Sequence, residues 1–104
     1  MLDLGIETVI LLDTYEKLLT DTQAKILRMR FDEDLSLGEI GELLEISRQA
    51  ARDAIIKGEQ KLVFLEETLK VVQREREIRR IASQLEEDGL QTYADMLKKV
   101  TEEI

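Results

Sequence analysis

Apolar residues recur at helical spacing along almost the whole chain, and polar signals separate them into a succession of amphipathic segments. Leu4, Leu11, Tyr15 and Leu18 make one stripe, widened by Ile10 and Leu19, on a first helix expected over Leu4 to Leu19. Thr20 and Gln23 have capping-box spacing, which opens a second helix with Asp21 at its positive end and Ala24, Leu27 and Phe31 as its buried face. Asp32, Glu33 and Asp34 read as a solvated turn, because three carboxylates alone lack the spacing of a metal loop. Ser36 and Glu39 repeat the capping-box signal and start a third helix of about two turns, with Leu37, Ile40, Leu43 and Leu44 directed to the core. Ser47 can then cap a fourth helix that meets no proline and no evident stop before Gly89.

Within that long segment Ala51, Ile55, Gly58, Leu62, Leu65, Leu69 and Val72 alternate by four and three residues, a seam for packing on another helix or on a second copy of the chain. Arg76 and Arg79 occupy the next seam positions, and the apolar stripe resumes out of phase at Ile78, Ala82 and Leu85. Either the helix breaks near Gln73 or it changes partner there. After Gly89 a last helix carries Leu90, Tyr93, Ala94, Leu97, Val100 and Ile104 on one face. The pattern predicts an all-α fold: a helix-turn-helix core of about four helices with a long fourth helix and a C-terminal helical extension. One domain over residues 1–104 is expected, with the helix-turn-helix at 36–62 and the extension at 63–104.

A helix-turn-helix needs a small residue where its helices cross, an apolar residue in the turn and polar side chains early in the second helix. Gly41, Ile46 and the segment from Ser47 meet these needs, with Ala51 and Ile55 facing inward and Glu45 at a turn position where glycine is common. Helical projection puts Gln49, Asp53, Ile56 and Gln60 opposite the seam, flanked by Arg48 and Arg52 on one side and Lys57 on the other. Gln49 could read adenine, the arginines could take guanine edges or phosphates, and the helix start at Ser47 could donate to phosphate. Asp53 opposes such a role, since a carboxylate repels the backbone and only accepts from a base.

Composition redirects this picture. Fifteen Lys and Arg stand against 23 Asp and Glu, a net charge of −8, so a generic cationic coat for nucleic acid is not expected. The charge is uneven: from Ser47 to Ile81 nine basic residues face six acidic ones, a local net of +3, while the other 69 positions carry −11. The basic strip includes Lys57, Lys61, Arg74 and Arg76 and runs past the motif, although i,i+4 pairs such as Glu75 with Arg79 also suit a plain solvated face. With no cysteine and no histidine, no glycine-rich phosphate loop and no serine with a base partner, neither catalysis nor a metal or other cofactor is expected. The apolar residues from Ile6 to Leu12 follow no basic region, and no apolar run approaches the roughly 18 residues that span a bilayer, so no signal peptide and no membrane insertion are expected and the cytoplasm is the expected compartment.

The segment "LLDTYEKLLTDTQAKILRMRFDEDLSLGEIGELLEISRQAARDAI" resembles the YlxM family of small bacterial proteins associated with the signal recognition particle. "DLSLGEI" and "SRQA" carry it most specifically, followed by Asp53, Ile55 and Glu59. More distantly the same helices resemble region four of bacterial sigma factors. The resemblance implies an accessory or regulatory helix-turn-helix protein, acting with the particle's GTPase and its RNA or on duplex DNA, with a homodimer among the expected states. It carries a binding role to Ser47, Arg48 and Gln49, while Asp21, Met29 to Phe31 and Arg52 depart from the family pattern.

Three readings follow. One is nucleic-acid binding through Ser47, Arg48, Gln49, Arg52, Lys57, Lys61, Arg74 and Arg76. Another is a protein-interaction or dimerisation module, with the helix-turn-helix as scaffold and Ile55, Leu62, Leu65, Leu69 and Val72 as the dimer or helix-packing seam. The third is a sigma-like transcription regulator. Asp53 and the global acidity favour protein over nucleic acid as the partner.

Overall fold

The computed structural model describes the backbone of residues 4–103 and the side chains of residues 7–103. All regular structure among the described residues is helical: α1 (Leu4–Tyr15), a 3-10 turn (Glu16–Leu18), α2 (Asp21–Phe31), α3 (Leu37–Leu44), α4 (Arg48–Leu69), α5 (Val71–Glu87) and α6 (Gln91–Glu102). The fold is all-α, as the periodicity predicts. The chain divides into two compact units, residues 1–68 and 69–104.

In the first unit α1 buries Thr8, Leu11, Leu12 and Tyr15, spaced i, i+3, i+4, i+7, against α2. The Tyr15 hydroxyl donates to the Glu66 carboxylate, which ties α1 to the far end of α4. The expected first helix stops at Tyr15, and the tighter 3-10 turn shifts the phase, so Leu18 faces solvent while Leu19 is buried. The Leu4 side chain and Ile104, expected in apolar stripes, lie outside the described residues.

Both capping boxes form. Thr20 Oγ1 accepts from the Gln23 N–H at 3.1 Å while Gln23 returns the bond to the Thr20 N–H, and Ser36 does the same with Glu39. α2 is central: Leu27 is fully buried, and Ile26 and Met29 on its other side are buried too, whereas the expected Ala24 and Phe31 are only half-buried. A Cβ on Gly58 of α4 would lie 2.9 Å from Leu27 Cδ1, so glycine lets α4 close on α2. Arg28 anchors the polar flank, donating to Asp13, Glu16 and Asp32 at 2.8, 3.0 and 3.1 Å. The bond to Glu16 and then that to Asp13 hold its guanidinium protonated above the usual range, with burial opposing.

α3 buries Ile40 and Gly41 and half-buries Leu37 and Leu44, but Leu43 is 64% exposed, contrary to expectation. On a helix of two turns the arc through Leu37, Ile40, Gly41 and Leu44 leaves Leu43 on the far flank. α3 ends in a Schellman turn: the Ile46 N–H bonds to the Gly41 carbonyl at 2.9 Å and the Glu45 N–H to that of Glu42 at 3.4 Å. Glu45 takes the left-handed conformation there, φ 56°, in the position that glycine usually fills. A Cβ on Gly41 would lie 2.8 Å from the Ile46 carbonyl oxygen. The Ile46 side chain is itself exposed, so the turn is locked by backbone contact and not by the expected apolar plug.

The long fourth helix ends at Leu69, and Lys70 turns left-handed with φ 55° before α5 begins. Of the two alternatives near Gln73, a break or a change of partner, the helix takes the break, three residues early. In the second unit α5 packs on α6 through small residues: Ala82 and Ala94 are fully buried and Thr101 nearly so. A second Schellman turn joins them, with Leu90 N–H on the Leu85 carbonyl at 2.8 Å, Gly89 N–H on that of Glu86 at 3.0 Å, and Gly89 at φ +79°. Lys98 pairs with Glu86 across the hairpin. Leu90, Tyr93 and Val100 are exposed, so the expected buried face of α6 is reduced to Ala94 and half-buried Leu97.

Two outcomes test this packing of the first unit. In urea unfolding, Gly41→Ala loses about 1–3 kcal/mol because the new methyl strikes backbone, whereas Gly38→Ala is neutral or gains up to about 1 kcal/mol, since its Cβ would meet nothing nearer than 3.9 Å. Equal effects of the two would refute the close approach. Separately, the Ser36 N–H and hydroxyl hold the Glu39 carboxyl below the usual range. A carboxyl depressed in the fold stabilises it above the unfolded-chain value, and that contribution is lost as pH falls through the folded value. A carboxyl-detected NMR titration should therefore show Glu39 protonating later on acidification than exposed glutamates.

Candidate nucleic-acid interface

The turn after Gly41 sets where α4 begins, and Ser47 caps it by accepting from the Ala50 N–H at 2.9 Å. The N–H groups of Arg48 and Gln49 in this first turn are left to outside acceptors, and the helix dipole makes an anion favourable there. Ser47, Arg48, Gln49, Arg52, Asp53, Lys57 and Gln60 are all exposed, and Ala51 and Ile55 are buried, so the projected reading face looks outward. The Arg48 side chain runs beside Gly38, its Nε and Cδ 3.9 and 4.0 Å from where a Cβ there would stand. Among the described residues Arg48, Arg52 and Lys57 form no ion pair.

Gln49 and Asp53, one turn apart, are joined: Gln49 Nε2 donates to Asp53 Oδ1 at 2.9 Å. Reading a base with Gln49 requires that bond to open, and the carboxylate charge stays uncompensated in the middle of the face. Lys61 is placed otherwise, its Nζ 5.9 Å from the centre of the exposed Phe64 ring, within range of a cation–π contact. Arg74 and Arg76 stand on α5 in the second unit. The basic strip expected along one helix is thus divided by the turn at Lys70.

Of the seam residues, Ile55, Leu62 and Leu65 are buried within the first unit, Leu69 is largely exposed, and Val72 is buried at the start of α5. The upper seam is therefore occupied by this chain's own core. Glu59, named in the sequence only as part of the family resemblance and given no site role there, is half-buried on α4, its carboxyl pushed up by burial with the Arg30 charge opposing. No periodic signal marks it, since its setting depends on α2. No cluster of three His, Cys, Asp or Glu side chains suited to a metal occurs among the described residues, and no helix is long and apolar enough to cross a membrane.

The family described as "UPF0122: Putative helix-turn-helix protein, YlxM / p13 like" matches residues 3–103. A UPF0122 protein of Thermoanaerobacter sp. (strain X514) is 49% identical over 69 residues, which are 66% of this chain and 59% of that protein. One of Caldanaerobacter subterraneus subsp. tengcongensis is 42% identical over 78 residues, 75% of this chain and 67% of its own. One of Fusobacterium nucleatum subsp. nucleatum is 39% identical over 88 residues, 85% of each chain. The matched stretch thus spans less than two thirds of the Thermoanaerobacter relative's length. No solved structure matches the chain.

Proposed function

Because this chain belongs to the UPF0122 family of YlxM-like helix-turn-helix proteins, we propose that it binds nucleic acid through the start of α4, as an accessory protein of the signal recognition particle whose RNA is its partner. The observation that supports this reading is the exposed face of α4, where Arg48 and Arg52 beside the helix N-terminus, and Lys57 further along, have no ion-pair partner among the described residues. Phosphate is the ligand that uses both features. Asp53 limits sequence reading, so recognition rests on backbone and shape. In fluorescence anisotropy with the particle RNA, Arg48→Glu with Arg52→Glu lowers affinity at least about a hundredfold, and Asp53→Asn raises it by roughly three- to tenfold. Unchanged binding by the double variant would end the proposal; stronger binding to a promoter duplex than to the RNA would favour the sigma-like regulator.

A second reading, self-association, is favoured by α6 and the Leu90 that precedes it, since Leu90, Tyr93, Met96 and Val100 are all large and exposed, Met96 at 60%. Residues 69–104 carry seven basic and eight acidic side chains, a net of −1, against −7 for residues 1–68, so charge opposes pairing of the second unit least. Sedimentation should show a dimer that Met96→Glu converts to monomer; a monomeric parent chain at about 100 µM, a concentration suited to micromolar pairing, would refute it.

A further inference from the structure

Between the C-terminal end of α2 and the middle of α4 lies a cleft of about 340 Å³, floored by the core residue Ile55 and sharing only Arg52 with the phosphate contacts proposed above. This is at the lower end of the volumes of small-ligand pockets. Phe31, Leu37 and Ile56 supply an apolar wall, and Arg30, Arg52 and Glu59 a polar edge. Each polar member is differently engaged. Arg30 is held in place, its Nη1 donating to the Leu35 carbonyl at 2.9 Å. Arg52 is exposed and forms no ion pair among the described residues, and Glu59 accepts no hydrogen bond among them although it is half-buried. The Glu59 carboxylate, partly screened from water and facing the Arg30 charge, keeps its acceptor positions open to a ligand's N–H groups.

A complementary ligand is flat and aromatic for Phe31, offers N–H donors to Glu59, and carries an acceptor or anion toward Arg52. Guanine joined to its sugar phosphate has this chemistry: N1–H and the N2 amino group can both donate to one carboxylate, and O6 accepts from a guanidinium. In a duplex those edges are paired and the ring faces stacked, so only an unstacked base from a loop or bulge can enter. We propose that the cleft between α2 and α4 binds a single unpaired guanine of an RNA loop, stacked on Phe31 and held by Glu59 and Arg52. This deepens the nucleic-acid reading, on which it rests for the rest of the RNA, and it places the specificity where α4 meets the end of α2 rather than on the outward face at Gln49 and Asp53.

The test uses the full chain and two kinds of probe. Guanosine 5′-monophosphate alone, titrated to about 10 mM to allow for millimolar affinity, should shift the amide and methyl resonances of Phe31, Leu37 and Ile56, with uridine 5′-monophosphate shifting them far less. Phe31→Leu, which keeps an apolar side chain but loses the ring, should weaken binding about five- to a hundredfold, the range of one base-stacking contact, while Glu59→Gln should abolish the preference for guanosine. A stem-loop RNA with one loop guanosine should bind more tightly than its loop-uridine version, whereas a fully paired RNA reports only the backbone contacts. Absence of guanosine-induced shifts at these residues, or an unchanged preference in folded Glu59→Gln, overturns the cleft. If the mononucleotide shifts appear but paired RNA does not bind, the cleft stands and the backbone reading fails; if paired RNA binds without those shifts, the backbone reading stands and the cleft fails.

Discussion

The first unit depends on the contact between Gly41 and the backbone of Ile46. The Ile46 N–H reaches the Gly41 carbonyl, and the Ile46 carbonyl sits where a Cβ on residue 41 would intrude, so the turn between α3 and α4 is closed by main chain. The turn itself uses neither the Leu43 nor the Ile46 side chain, and both stay exposed beside it, while Ile40 and Ala51 on the two helices are buried. The strained member is Glu45, held left-handed at a cost of about 1–2 kcal/mol relative to glycine. Its carboxylate adds to the acidity around a turn that directs an arginine-bearing helix outward.

From this turn the rest of the first unit follows in order. Ser47 caps α4, Ala51 and Ile55 turn into the core, and Gly58 lets the helix close on Leu27. The opposite side is left to Arg48, Arg52 and Lys57. A molecule with a net charge of −8 can still hold a polyanion if its cations are gathered on one surface, and here the cations of α4 outnumber the one opposing carboxylate among them, Asp53. Arg28 illustrates the contrast: a cation surrounded by three carboxylates is structural, while those on α4 are left available.

Local chemistry was legible in the sequence. Thr20 with Gln23 and Ser36 with Glu39 form their boxes because a cap needs only residues three apart, and Gly41, Glu45 and Ser47 take their expected places in the turn. Which side of each helix is covered was less legible, because that depends on neighbours. α2 touches α1 and α3 and meets α4 through Leu27, so it buries Ile26 and Met29 as well as Leu27, where one stripe was expected. On α6 the alanine and threonine contacts displaced the larger side chains from the buried line. The pairing of Gln49 with Asp53 is readable as an i,i+4 spacing, but the cleft is not, since Phe31 and Glu59 meet only when α2 packs on α4.

The claim that α4 holds a polyanion is tested most directly by the salt dependence of RNA affinity, measured alongside backbone amide shifts. Three phosphate contacts through Arg48, Arg52 and Lys57 predict that log K falls with log salt at a slope of roughly −2 to −3, with the largest shifts at the Arg48 and Gln49 amides. A flat salt dependence, or shifts confined to α5 and α6, would contradict a polyanion site on α4.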